Sequence, residues 1–179
     1  MTYKALRRLV EGALIAAMYA ALTLAVPAAS FGLAQLRVAE MLTILPVFTP
    51  AAIPGLAVGC AVSNVVGLAL GANLAGVWDV LFGSLATLAA AALTYALRDV
   101  KWRGLPVLAT LPPVVFNAVV VGLELTLVLF GEFTLPLYLI NALQVGVGQL
   151  VACTVCGLVL YAALDKSGAA KGLFGQAKQ

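Results

Sequence analysis

Arg37 and Glu40 stand three residues apart where the chain enters the apolar run Met41-Leu42-Thr43-Ile44-Leu45-Pro46. A carboxylate near hydrocarbon costs at least roughly 2.5–3.5 kcal/mol unless it is paired, hydrated or protonated. Glu40 is therefore the first functional candidate. Asp79 and Glu124 are two further acids inside apolar sequence, and the same stretches hold the amides Asn64, Asn117, Asn141, Gln144 and Gln149, with Trp78 beside Asp79. Carboxylates accept hydrogen bonds and attract cations, amides both donate and accept, and an indole offers a flat face for stacking. Such a set suits recognition of a small polar ligand. With no His and three Cys, it does not suit a metal centre. Cys153 and Cys156 form a CxxC inside an apolar helix without a second pair, and they read as packing residues.

The elements that must position these groups follow from the composition. The chain is 64% hydrophobic and 9% charged, with a mean hydropathy of +1.12. Those values exclude soluble and disordered classes. A spanning helix needs about 20 apolar residues, and the pattern predicts six: 5–26, 36–48, 51–70, 77–97, 105–130 and 137–164, followed by a polar tail at 165–179. The second segment is short for a full span. Pro54 falls near the start of the third, and Pro112 with Pro113 is expected to bend the fifth. The first run follows Lys4, Arg7 and Arg8 as a signal peptide would, but apolar character resumes after every loop, so it reads as a retained helix. The expectation is a single all-α membrane domain over 1–179.

Nine of the ten Lys and Arg residues lie in three patches, Lys4/Arg7/Arg8, Arg98/Lys101/Arg103 and Lys166/Lys171/Lys178. Basic loops stay in the cytoplasm, so both termini and the loop near 98–104 are expected there. Six spans satisfy that count. The confinement of the basic residues also removes the net charge of +3 as an argument for nucleic acid.

This topology gives each polar residue a depth. Arg37 and Glu40 fall near the outer end of the second helix, Asn64 in the outer half of the third, and Trp78 and Asp79 near the outer end of the fourth. Asn117 lies at mid-depth and Glu124 further out. Asn141 and Gln144 share an outer-half face at i, i+3, with Gln149 deeper. Convergence on one leaflet predicts a pocket open to the outside and closed toward the cytoplasm. Plainer readings exist for each group. Arg37 and Glu40 could be an interfacial ion pair, Asp79 a helix cap, the amides interhelical hydrogen bonds, and Trp78 an interfacial belt residue. Glu124 has no basic partner within sequence reach.

Ala13, Ala17 and Ala21 repeat at i, i+4, i+8 on the first helix. Small residues at that spacing let another helix approach closely, either within the chain or from a partner protein. The sequence holds no phosphate-binding G-x-x-x-x-G-K-[ST] loop and no visible duplication of halves. A binding subunit driven by separate ATPases fits better than a self-sufficient pump. The remaining alternatives are an assembly protein or an intramembrane enzyme with Glu40 and Asp79 as acid and base.

The block Arg37-Val38-Ala39-Glu40-Met41-Leu42-Thr43-Ile44-Leu45-Pro46, followed by Pro50-Ala51-Ala52-Ile53-Pro54-Gly55-Leu56 and Gly59-Cys60, resembles the QueT family. Asp79-Val80-Leu81-Phe82-Gly83-Ser84-Leu85-Ala86-Thr87-Leu88 matches its second hallmark. The similarity runs from the first helix to about Leu164. It implies a six-helix S-component, the substrate-binding subunit of an energy-coupling-factor (ECF) transporter in a prokaryotic cytoplasmic membrane. Its partners would be a transmembrane coupling protein, which the small residues of the first helix would contact, and two ATPases. The chain itself would need no cofactor. The implied substrate is a queuosine precursor, 7-aminomethyl-7-deazaguanine or a related deazaguanine, with a vitamin or other small nutrient as the alternative. Gln149 departs from the family pattern, which often has Glu in this Val-Gly-x-Gly-Glu stretch.

That ligand carries an ammonium and a guanine edge with adjacent N–H donors. One carboxylate can accept both edge donors while a second pairs the ammonium. Glu40, Asp79 and Glu124 are expected to share these roles, with Asn and Gln amides at the ring carbonyl and nitrogens and Trp78 stacked on the heterocycle. A neutral nitrile precursor would leave one acid without a purpose.

Overall fold

The computed structural model describes residues 2–32 and 36–175, so Lys178 lies outside the described residues. Every regular element among them is helical. Five helices are long and apolar enough to cross a membrane: α1 (Tyr3–Ala25), α2 (Ala52–Ala69), α3 (Asp79–Ala96), α4 (Val107–Phe130) and α5 (Leu135–Lys166). A short α6 (Ala169–Phe174) follows. The predicted boundaries agree with these to within two residues.

The sixth expected span differs in kind. Residues Val38–Val47 form a 3-10 helix. Ten residues of 3-10 helix extend about 20 Å, against about 15 Å for an α-helix, and fall short of the roughly 30 Å hydrocarbon core. Ala39, Glu40, Leu42, Thr43, Ile44 and Leu45 are all buried. Irregular backbone is tolerated at membrane depth when protein surrounds it, and here α1, α3 and α5 enclose the segment. Pro46 lies inside it. Lacking an N–H, that residue removes a rung from any α ladder.

Pro112 and Pro113 do not bend a helix interior. They sit in the first turn of the α-helix Leu111–Phe130, after a 3-10 turn at Val107–Thr110. An N–H is not needed there, so both prolines are accommodated.

One end of the bundle gathers the basic patches. Arg7 Nη2 donates to the Leu173 carbonyl at 3.3 Å, and Lys101 Nζ donates to Tyr161 Oη at 2.9 Å. Phe48, just past the 3-10 helix, stacks on Tyr161 and Phe174 with ring centroids 5.1 and 6.1 Å away. The chain's start, the end of the 3-10 helix, the loop after α3 and the segment after α5 therefore meet at one end. Arg37 lies at the other, where its Nε donates to the Ser30 carbonyl at 2.9 Å.

The tightest seam joins α1 and α2. A Cβ added at Gly55 would lie 2.7 Å from the Gly12 carbonyl oxygen, and one at Gly59 would lie 2.8 Å from both the Ala16 carbonyl oxygen and Tyr19 Cβ. Gly55 and Gly59 thus form a GxxxG face that admits the α1 backbone. The facing α1 stripe is Gly12, Ile15, Ala16 and Tyr19. Ala13, Ala17 and Ala21 lie on the other side of α1 and are exposed.

Candidate functional site

The seam between α1 and α2 brings Tyr19 to the enclosed 3-10 helix. Tyr19 is fully buried, and its hydroxyl donates to Glu40 Oε1 at 2.5 Å. Glu40 belongs to the first turn of that helix, where Thr43 Oγ1 donates to the Glu40 carbonyl at 2.6 Å. Asn117, on α4, lies beside the same carboxyl group. The Glu40 carboxyl is therefore held by Tyr19 through one oxygen, and the other has no hydrogen-bond partner.

Arg37 does not pair with Glu40. Its Nη2 donates to Asp79 Oδ2 at 2.5 Å, with the two side chains 3% and 0% exposed. Phe31 lies under the guanidinium at 5.4 Å, and Cys60 Sγ is 3.9 Å from Nη1. Asp79 opens α3 in a π-helical turn, Asp79–Gly83. Such turns widen a helix and are frequent at functional sites. Asn73, in the loop between α2 and α3, also donates to Asp79 Oδ2, at 3.2 Å. Asn64 Nδ2 on α2 donates to the Asp79 main-chain carbonyl at 2.7 Å. Asp79 is not a helix cap: it is an enclosed counterion. Gly83 leaves it room, because a Cβ there would overlap Asp79 Oδ1.

Glu124 stands on the inward face of α4, 7% exposed. It lies within Coulombic range of Asp79 and Arg37, which are in turn within range of Glu40. Four ionisable groups from the 3-10 segment, α3 and α4 thus share one field, three potentially negative and one positive. Glu40 Oε2, Asp79 Oδ1, Asn64 Oδ1 and both oxygens of Glu124 are buried without a hydrogen-bond partner among the described residues. Buried polar atoms are nearly always satisfied, so five acceptors without donors mark this cluster as the candidate site. No His is available, and the single buried guanidinium is already engaged.

Other expected site residues sit elsewhere. Trp78 is 52% exposed and stacks on Phe82, with centroids 6.0 Å apart, on the outer surface. Adjacent helical positions diverge by about 100°, so with Asp79 inward Trp78 faces away. Gln144 is exposed in an apolar groove with Leu36, Ile140 and Leu143. Asn141 is buried, but its amide donates to Thr126 Oγ1 at 3.0 Å, a link between α4 and α5. Gln149 is 2% exposed and accepts from Cys153 Sγ at 3.2 Å. Tyr19, Phe31, Asn73 and Gly83 complete the site and were not singled out in the sequence. A tyrosine in the middle of an apolar helix was the one available signal.

Compared with known protein families, residues 9–166 match QueT, described as the QueT transporter. The chain belongs to the QueT transporter family. The matched span agrees with the resemblance read from residues 37–60 and 79–88 and covers nearly the whole chain. QueT membership makes this a multi-pass membrane protein with a transport function, and not an enzyme. The acid–base reading of Glu40 and Asp79 is thereby set aside. Searches of curated proteins and of solved structures return no match.

Proposed function

We propose that this QueT protein is the substrate-binding S-component of an ECF transporter, capturing a queuosine precursor, 7-aminomethyl-7-deazaguanine or a close deazaguanine, from outside the cell. The observation that carries this reading is the set of buried, partnerless carboxylate oxygens on Glu40 and Glu124, flanking the Arg37–Asp79 pair. An acceptor-rich cluster of carboxyl groups suits a flat heterocycle bearing N–H donors and an ammonium. Asn64 and Asn117 are at hand for the remaining ring atoms.

The site lies toward the end of the bundle away from Arg7, Lys101 and Lys171. With basic loops in the cytoplasm of a prokaryotic cell, that end faces outward and both termini face inward. The enclosed 3-10 helix then carries the chain back from the outer end toward the inner one, standing in for the second of six spans while the surrounding helices shield it from lipid. Ala13, Ala17 and Ala21 are exposed because α1 uses its other stripe for α2. That leaves a small-residue ridge suited to the transmembrane coupling protein, with two ATPases behind it.

The test is titration of the purified chain with 7-aminomethyl-7-deazaguanine, its nitrile analogue and a panel of vitamins. Tight binding of a deazaguanine, weakened by Glu40→Gln, supports the assignment. Tight binding of a vitamin alone would replace the substrate while keeping the transport role.

A further inference from the structure

We infer that the three acids divide the ligand unequally. Glu124 accepts two adjacent N–H donors from the guanine-like edge. Glu40 meets the ammonium through Oε2, and Asp79 touches neither group. This assignment rests on the deazaguanine reading above and extends it to the level of single oxygens.

The argument is a count of free acceptors. A carboxylate that accepts two parallel N–H donors needs both oxygens available. Glu124 is the only one of the three with both oxygens unpartnered. Glu40 has one oxygen held by Tyr19, leaving Oε2 alone. A single acceptor suffices for an ammonium, whose donors rotate about the C–N bond. Asp79 Oδ2 already accepts from both Arg37 and Asn73. Its Oδ1 is unpartnered but faces the Gly83 backbone, where even a methyl group would not fit. With one oxygen committed twice and the other against backbone, Asp79 cannot offer both oxygens to parallel donors and fixes Arg37 instead.

The spacing agrees. Asn117, beside Glu40, precedes Glu124 by seven residues on one face of α4, about 10 Å along the axis. A bicyclic heterocycle with an aminomethyl arm and a hydrogen bond at each end occupies a span of that order. Tyr19 acts as a positioning residue: by holding Oε1 it turns Oε2 toward the ligand.

The full-length chain, in detergent, is titrated with three compounds. These are 7-aminomethyl-7-deazaguanine, 7-methyl-7-deazaguanine (no ammonium) and 7-aminomethyl-7-deazahypoxanthine (no 2-amino donor). In the unmodified protein each deletion weakens binding by roughly 10- to 100-fold, the range for a charge-assisted hydrogen bond. In Glu40→Gln, removing the ammonium changes affinity by less than about threefold, while removing the 2-amino group keeps its full effect. In Glu124→Gln the pattern is reversed. Tyr19→Phe, which preserves the ring's packing, shrinks only the ammonium effect. The opposite pairing of acids and groups, or equal loss of both effects in each variant, overturns the assignment while leaving deazaguanine capture intact. Failure of the unmodified protein to bind the parent compound removes the queuosine reading, and the assignment with it.

Discussion

The buried Arg37–Asp79 pair gives the sharpest prediction. Asp79→Asn keeps shape and hydrogen-bonding reach but removes the charge that balances Arg37. The guanidinium is 3% exposed and would be left with neutral partners alone: the amide oxygen at position 79, the Ser30 carbonyl, the Phe31 ring face and the Cys60 sulfur. Breaking a buried pair by removing one partner costs about 3–5 kcal/mol, because a charge is left uncompensated. For a chain of this length that lowers the unfolding midpoint by roughly 6–20 °C. Replacing both partners, Arg37→Met with Asp79→Leu, removes the charge and its counterion together. The orphaned Asn73 amide and Ser30 carbonyl hold back full recovery, so the double variant should lie within about 2 kcal/mol of the parent. Thermal unfolding of the detergent-solubilised, ligand-free protein, followed by tryptophan fluorescence, reads all three. A single variant within about 1 kcal/mol of the parent, or a double variant no better than the single one, would refute the claim that this pair is an enclosed, mutually dependent unit.

Gly59→Leu should separate α1 from α2, since a Cβ there already meets Ala16 and Tyr19. A loss of about 1–3 kcal/mol in unfolding stability is expected. Gly83→Ala should displace the Asp79 side chain and weaken deazaguanine binding at least fivefold by calorimetry; unchanged affinity would show that the recess tolerates movement of Asp79. Trp78→Ala should leave ligand affinity within about twofold, as its ring stacks on Phe82 at the outer surface; a large loss would return it to the site. Under the proposed ECF role, Ala17→Leu should leave binding by the isolated chain intact yet abolish co-purification with the proposed coupling protein, and retained co-purification would move the proposed docking surface off this ridge.

Much of the candidate cluster was legible because acids inside an oily chain are conspicuous. Glu40, Asp79, Glu124, Asn64 and Asn117 converge as their shared depth suggested. Depth along the chain does not fix direction around a helix, however. Trp78 and Gln144 had suitable depths and face outward. Tyr19 was hidden because a tyrosine in an apolar helix is compatible with packing, and only the close approach of α1 to α2 brings its hydroxyl to Glu40.

By itself, the sequence determined the class: hydropathy over runs of about 20 residues dictates membrane-spanning helices, and the grouping of Lys and Arg puts the basic loops at one end. The hallmark blocks determined the family. The tertiary structure alone decided that residues 38–47 form an enclosed 3-10 helix and that Arg37 serves Asp79 rather than Glu40. The i, i+3 spacing of Arg37 and Glu40 made a local pair plausible, but Arg37 precedes the helix with extended backbone, and its side chain reaches Asp79 on α3 instead. Pairing across helices depends on which faces meet, and that is set by the glycine seam and the π turn at Asp79, not by spacing along the chain.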